Sequence, residues 1–427
     1  MRNYRRYPEY KDSGIEWLGQ IPAHWQVGKY ARYFRSAMGQ TILREDLVDD
    51  GEVPVYSATE SGAMFGRIDN ANAVVELDAG DIVIPARGVS IGHAILIKEP
   101  STCTQTTIYS KLTDTRRVHP AYVQYFMLGC RQVLFYYDRT AIPQITVDQV
   151  KSNPLLIPPL QEQQTIADFL DRETAKIDAL IEKKERLIEL LQEKRTALIT
   201  HAVTKGLDPN ATMKDSGIEW LGRIPAHWKL KRLKHILSEP LKYGANEAAE
   251  LDDPELPRYV RITDIDDSDR LRDETFRSLP REVAEPYLLQ EGDLLLARSG
   301  ATVGKTFLYR ASWGECAYAG YLIRARLDLE QVLPLFIRYY TASSVYWQWL
   351  SSAFIQATIQ NVSAEKYAEL WVPLPTVREQ EAILGFLDRE TAKIDALVGK
   401  VQEAIERLRE YRTALISAAV TGKIDVR

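Results

Sequence analysis

Lys11-Asp-Ser-Gly-Ile-Glu-Trp-Leu-Gly-Gln-Ile-Pro-Ala-His-Trp25 returns downstream as Lys214-Asp-Ser-Gly-Ile-Glu-Trp-Leu-Gly-Arg-Ile-Pro-Ala-His-Trp228, identical at fourteen of fifteen positions. Two further strips are doubled. Phe169-Leu-Asp-Arg-Glu-Thr-Ala-Lys-Ile-Asp-Ala-Leu180 recurs unchanged at Phe386 to Leu397, and Arg195-Thr-Ala-Leu-Ile199 recurs at Arg412 to Ile416, both 217 residues on. Between these strips the stretches Gln26 to Leu156 and Lys229 to Leu374 diverge almost completely. Solenoid repeats run to about 20–50 residues, so two copies at so long a period mean a duplicated unit with approximate two-fold symmetry. Parts that stay identical touch each other or a common partner, and parts that diverge touch different things.

From about Glu162 to Lys205 the chain has neither Pro nor Gly, and Ile177, Leu180, Leu187, Leu191 and Leu198 recur at spacings of three, four or seven. That is a helical seam. Its copy, from about Glu379, keeps Ile394, Leu397, Leu408 and Leu415, with Val401 standing where the first copy has Lys184. Pro158-Pro159 and Pro373 to Pro375 precede the two helices, and Gly206 follows the first, as helix punctuation requires. A helix of this length spans about 65 Å at 1.5 Å per residue. One apolar stripe needs cover, and the copy supplies a matching one, so the two helices are expected to pair antiparallel as a coiled coil.

The chain has 427 residues, 26% of them charged, with a net charge of −5. That length suits two or three domains, and the composition excludes disorder, collagen-like repeats and a chain coated in basic residues. Cys103, Cys130 and Cys316 lie far apart, with neither disulfide nor zinc spacing, which fits a reducing cytoplasm. No apolar stretch approaches the roughly 20 residues that span a bilayer, and Met1 to Tyr7 lacks the apolar core of a signal peptide, so a soluble, unexported protein with no membrane partner is expected. The six histidines show no metal spacing, so no metal site is expected. The divergent halves mix short β-like runs (Ala73 to Leu77, Asp81 to Pro85, Ala94 to Lys98; Asp293 to Ala297, Thr306 to Tyr309, Tyr321 to Leu327) with helical stretches at Tyr122 to Tyr136 and Leu335 to Leu350. The class is α+β. The organisation read from the sequence is a first domain over 1–158, a long helix over 159–207, a second domain over 208–374 and a second helix over 375–427.

Gly88-Val-Ser-Ile-Gly92 matches the G-x-S-x-G elbow of hydrolases, but a strand-like run follows it where an elbow needs a helix. Ser299 to Thr306 resembles a phosphate loop with three residues between its glycines instead of four. Both are better described as one recurring turn, Gly80-Asp81 to Gly92 and Gly292-Asp293 to Gly304. Arg87, Ser90 and His93, and Arg298, Ser299, Thr302 and Lys305, would project donors suited to phosphate or base edges. Plain hairpin chemistry accounts for the same residues. Trp17, Trp25, Trp220 and Trp228 are candidate docking anchors for the helices or for a partner. No catalytic constellation emerges.

The tandem K-D-S-G-I-E-W-L-G-x-I-P-x-H-W strips, the helix starts Ile157-Pro-Pro-Leu-Gln-Glu-Gln163 and Pro373-Leu-Pro-Thr-Val-Arg-Glu-Gln380, and the F-L-D-R-E-T-A-K-I-D-A-L segments together resemble the DNA specificity subunits of type I restriction-modification systems. The resemblance covers essentially the whole chain. It implies two tandem target recognition domains, each reading one half of a split site in double-stranded DNA, separated by an antiparallel coiled coil. It implies two modification subunits that hold S-adenosylmethionine and methylate adenine, and two restriction subunits that use ATP and Mg. This chain itself would be non-catalytic and hold no cofactor. The family's Ile-Pro-Gln-Ile-like segment stands here as Ile142-Pro-Gln-Ile-Thr146 and, without its proline, as Ile359-Gln-Asn-Val-Ser363. Gln144 and Asn361 thereby join the DNA candidates, being able to make bidentate contacts with adenine. The alternatives are an interaction scaffold whose two domains bind proteins or glycans across a coiled-coil spacer, and a hydrolase using Ser90.

Overall fold

The two divergent stretches build the same sheet from unrelated sequences. In the computed structural model, residues 4–59, 63–136, 143–266, 270–300, 302–354 and 361–427 are described. The chain divides into two compact units, residues 1–185 with 402–427 and residues 186–401. The first contains β1 (Phe34–Met38), β2 (Ile82–Pro85), β3 (Ile95–Leu96) and β4 (Thr107–Leu112), antiparallel in the order β1-β4-β2-β3. The second contains β5 (Lys242–Tyr243), β6 (Leu294–Ala297), β7 (Thr306–Leu308) and β8 (Leu322–Ala325), antiparallel in the matching order β5-β8-β6-β7.

The runs Ile82-Val-Ile and Leu294-Leu-Leu are apolar throughout because both faces of each sheet are covered. Ile82 and Ile84 enter the main core of the first unit, while Val83 packs on the opposite face with Leu77, Ile95 and Cys103. Leu294 and Leu296 likewise face the main core of the second unit, and Leu295 and Ala297 face a smaller cluster with Val260 and Tyr318.

Three sequence expectations change here. Ala73 to Leu77 is no strand: it has only a bridge from Leu77 to Ser101, and Val74 stands exposed, so an apolar run without a pairing edge does not become a strand. Ala94 to Lys98 contributes only Ile95–Leu96. Each expected helical stretch is divided, into Pro120–Gly129 and Arg131–Leu134 and into Pro334–Tyr340 and Ser344–Phe354.

The long helices α1 (Leu160–Lys205) and α2 (Val377–Val420) start close to where their punctuation sets them. Gly206 closes the first at φ 77°, a conformation that favours glycine. Their seam differs from the one expected. Between Ile177 and Leu198 the buried and half-buried positions are Ile177, Ile181, Lys184, Ile188, Leu191, Arg195 and Leu198, a strict alternation of four and three; in α2 Ile394, Val398, Val401, Ile405, Leu408, Arg412 and Leu415 keep that phase, with Gly399, Ala404 and Ala414 half-buried beside them. Leu180 and Leu397 are 43% and 44% exposed, and Leu187 is exposed as well. Adjacent apolar residues such as Leu180 and Ile181 cannot both lie on a stripe this narrow, and the four-three phase selects the second. Within the first unit Arg412 pairs with Asp178 at 2.9 Å and Arg409 with Glu185 at 3.1 Å, residue numbers rising on one helix as they fall on the other. Within the second unit Arg195 pairs with Asp395 at 2.9 Å, the same contact displaced by one repeat.

Candidate nucleic-acid interface

Each repeated strip is fastened to the first turn of a long helix. Tyr10–Asp12 pairs with Gln20–Pro22, and Met213–Asp215 with Arg223–Pro225, so each strip is a hairpin that ends on its His-Trp pair. In the first unit His24 Nε2 lies 2.7 Å from Glu162 Oε2, and Trp25 Nε1 donates to Glu162 Oε1 at 3.0 Å. In the second unit His227 and Trp228 meet Glu379 at 2.6 and 3.3 Å. The next residue completes the joint. Gln163 accepts from His119 N and donates to Arg117 O and Pro158 O; Gln380 accepts from Leu333 N and donates to Gln331 O and Pro375 O. Both glutamines are fully buried, and these bonds satisfy the groups that burial would otherwise leave unpaired. Further along, Asp171 accepts from Tyr125 at 2.6 Å and Asp388 from Tyr339 at 3.0 Å.

Trp25 and Trp228 are therefore buried structural residues, not surfaces for a partner, because each indole is spent on the Glu of its own helix start. Trp17 remains exposed and Trp220 half-buried. Trp17 lines an open groove of about 1130 Å³ in the first unit, together with His93, Arg131, Tyr136 and Arg412.

The recurring turn is one backbone structure used twice. Ile91 N donates to Gly88 O, Gly92 N to Pro85 O and His93 N to Ser90 O; Val303, Gly304 and Lys305 repeat these bonds onto Gly300, Ala297 and Thr302. Gly88 and Gly92 have φ 78° and 74°, and Gly300 and Gly304 have φ 80° and 85°. At Gly92 a Cβ would also stand 2.4 Å from Phe135, so both conformation and space demand glycine there. The Gly-Asp that opens each turn is structural: Asp81 accepts from Asp78 N and Leu112 N, and Asp293 from Gln290 N and the Arg326 guanidinium.

The turn meets the segment read as Ile-Pro-Gln-Ile and its copy, of which Ile142, Ile359 and Gln360 lie outside the described residues. Ile145 N donates to Ala86 O at 3.0 Å and Val362 N to Arg298 O at 2.8 Å. This clamp brings candidates together in both units. Arg87 Nε donates to Gln144 Oε1 at 3.0 Å, and Arg298 Nε to Asn361 Oδ1 at 3.4 Å. Measured from the backbone bridges, Arg298 stands one residue earlier than Arg87, whose counterpart is Ser299. Arg298 also lies over the Tyr243 ring at 4.7 Å. Arg87, Gln144 and Asn361 are exposed, Arg298 and Ser299 half-buried.

The remaining candidates separate. Ser90 is 3% exposed and its hydroxyl has no hydrogen-bond partner among the described residues, so none of them stands as a base that would activate it as a nucleophile. His93 is half-buried, and burial pushes its imidazole below the ordinary value, with the charges of Arg131 and Arg412 acting the same way. Thr302 is half-buried, and Lys305 lines a cavity of about 190 Å³ with Asp266, Arg338 and Trp347. Arg131, whose guanidinium donates to Ile91 O and Val89 O and so holds the first turn, was not among the sequence candidates; neither was Tyr243.

Residues 22–190 match the model of the type I restriction modification DNA specificity domain. The type I restriction enzyme EcoBI specificity subunit of Escherichia coli is 24% identical over 294 residues, which cover 66% of this chain and 61% of that relative. The EcoKI specificity subunit of Escherichia coli strain K12 is 26% identical over 436 residues, covering 95% of this chain and 90% of that one. A solved chain from work on complex assembly and conformational transition of the type I R-M system superposes with a TM-score of 0.65 at 15% identity, covering 94% of this chain and 98% of that one. The chain thus carries a type I specificity-domain match over residues 22–190, aligns over nearly its whole length with type I specificity subunits, and shares the fold of a solved chain from such a system.

Proposed function

We propose that this chain is the non-catalytic sequence reader of a type I complex, each variable domain reading one half of a bipartite DNA site. The paired long helices form an antiparallel coiled coil that separates the two domains and sets the spacing of the half-sites. Two modification subunits, carrying S-adenosylmethionine, methylate adenine at the site, and two restriction subunits use ATP and Mg. The complex works in the cytoplasm, and among the described residues no helix is long and apolar enough to cross a membrane.

The observation that carries this reading is the contrast between the frame and what it holds. The joints at Glu162 and Glu379 and the pairs Asp178–Arg412 and Asp395–Arg195 are the same in both units, whereas the same turn presents Arg87 with Gln144 in one and Arg298 with Asn361 in the other. Identical frames suit identical partner subunits, for which the exposed Leu180, Leu397 and Trp17 are available surface. Different faces suit different DNA sequences. Two half-sites of three or four base pairs, at roughly 1–3 kcal/mol per mismatch, give a genomic selectivity that one cannot. A net charge of −5 is tolerable where partner subunits supply phosphate contacts.

The test replaces residues 26–156 with the variable stretch of another family member and maps methylated adenines in the host genome. One half-site should change while the other half-site and the spacer stay as they were. A change in both halves, or in neither, contradicts the reading.

A further inference from the structure

In both units the turn pairs an arginine with an amide, Arg87 with Gln144 and Arg298 with Asn361. A guanidinium has donors only, so the amide atom facing Arg87 Nε at 3.0 Å, and the one facing Arg298 Nε at 3.4 Å, must be the carbonyl oxygen. Gln144 and Asn361 thus spend one of the oxygen's two lone pairs on their arginine and have that oxygen turned toward it. An adenine contact needs an acceptor for N6–H and a donor for N7 from the same amide, whereas guanine presents two acceptors, N7 and O6, on its major-groove edge. What each pair has left over is a set of donors, the amide NH₂ and the two terminal Nη groups, beside an oxygen already engaged once.

We propose that Arg87 with Gln144, and Arg298 with Asn361, are guanine-reading forks, so that each half-site contains a G·C pair contacted by its own turn. This rests on the DNA-reading function proposed above. A braced fork suits a base better than a phosphate. Phosphate attraction needs charge and tolerates many orientations, while a bidentate base contact needs the guanidinium plane held. Three features hold it: the Nε bond to the amide, the clamps from Ile145 N to Ala86 O and Val362 N to Arg298 O, and, in the second unit, the Tyr243 ring at 4.7 Å. Gln144 and Asn361 act here as positioning residues as well as donors.

The experiment forms the complex of the full chain with its modification subunits, selects bound duplexes from a random pool and sequences them. The wild-type complex should select a bipartite site with a fixed G·C pair in each half. Its replacement by A·T should weaken binding by about 5- to 150-fold, the range for one bidentate pair. Arg87→Ala should erase that preference at one position of one half-site, leaving the other half unchanged. Arg87→Lys keeps the charge and is the milder change for folding; it should keep affinity for unrelated DNA while losing the G·C preference. Arg298→Ala should do the same in the other half. Selection of a bipartite site with no fixed G·C pair, retention of full preference by Arg87→Lys, or uniform weakening at all sequences with a shallower salt dependence would each overturn the forks while leaving the reading function intact. Failure of the wild-type complex to select any sequence would overturn both.

Discussion

Gly92→Ala sets two separable costs against each other. At φ 74° any Cβ is strained, and here it would also stand 2.4 Å from Phe135 Cδ2 and 2.9 Å from Cγ. Gly88 has nearly the same φ, 78°, but nothing within 4 Å of its Cβ position, so Gly88→Ala isolates the backbone cost of about 1–2 kcal/mol. Gly92→Ala adds overpacking of about 1–3 kcal/mol, because a buried aromatic ring cannot rotate aside as a chain end can, for a total of about 2–5 kcal/mol. Gly304 makes a third point: its Cβ would meet the fully buried Leu350 side chain and stand 3.2 Å from the Trp347 ring, so overpacking adds to the backbone cost there too. Urea unfolding of the three variants should find Gly92→Ala and Gly304→Ala both losing more stability than Gly88→Ala. Shortening the obstacle, Phe135→Leu, should restore part of the Gly92→Ala loss, a coupling of about 0.5–3 kcal/mol. Equal losses for Gly88→Ala and Gly92→Ala, with no coupling to Phe135, would refute the packing of the turn.

Trp25→Phe deprives Glu162, 5% exposed, of a buried donor and should cost about 1.5–3 kcal/mol, whereas Trp228→Phe should cost less because Glu379 is 36% exposed and its bond is longer; thermal unfolding that finds the reverse order contradicts the joint geometry. Ile177→Ala should cost about 2–4 kcal/mol and Leu180→Ala well under 1, and similar losses at both would mean that the four-three phase of the seam is wrong. The Arg326 hydrogen bond, then that of Lys242, holds the Glu239 carboxyl at about 2, below its ordinary 4.5. Its folded value lies below its unfolded one, so its stabilisation is complete above pH 4.5 and disappears as pH falls through about 2. Glu239→Gln should therefore flatten the decline of the urea midpoint between pH 4.5 and 2, and parallel curves for the two proteins would contradict the pairing.

The long helices were legible because they need only local information: an unbroken run without Pro or Gly, an apolar period and punctuation at both ends. Their phase was not. Leu180 and Ile181 are both apolar neighbours, and only the partner strand of the seam chooses between them. Ala73 to Leu77 has the composition of a strand, but a strand also needs an edge to pair with, which composition does not supply. The joint of His24 and Trp25 with Glu162 bridges about 138 residues, and its copy about 152, so no common spacing links them; the duplication of all three residue types was the one available sign. Arg87 and Gln144 were each recognisable as candidates for DNA, but the bond that turns the amide oxygen toward the guanidinium is a tertiary contact across 57 residues. Ser90 fits a reactive motif by letters alone; its burial belongs to the turn's packing against Phe135 and Arg131.

The central claim is that paired helices hold two readers at a fixed separation along the duplex. Four residues inserted into α1 after Arg186 add about 6 Å and, at 100° per residue, about 40° of rotation. The four-three seam absorbs such an insertion as a local change of winding. One base pair adds about 3.4 Å and roughly 35°, so the rotation selects a spacer longer by one pair. Mapping methylated adenines in cells that carry the insertion should find both half-sites unchanged and the spacer one base pair longer; an unaltered spacer would contradict the account.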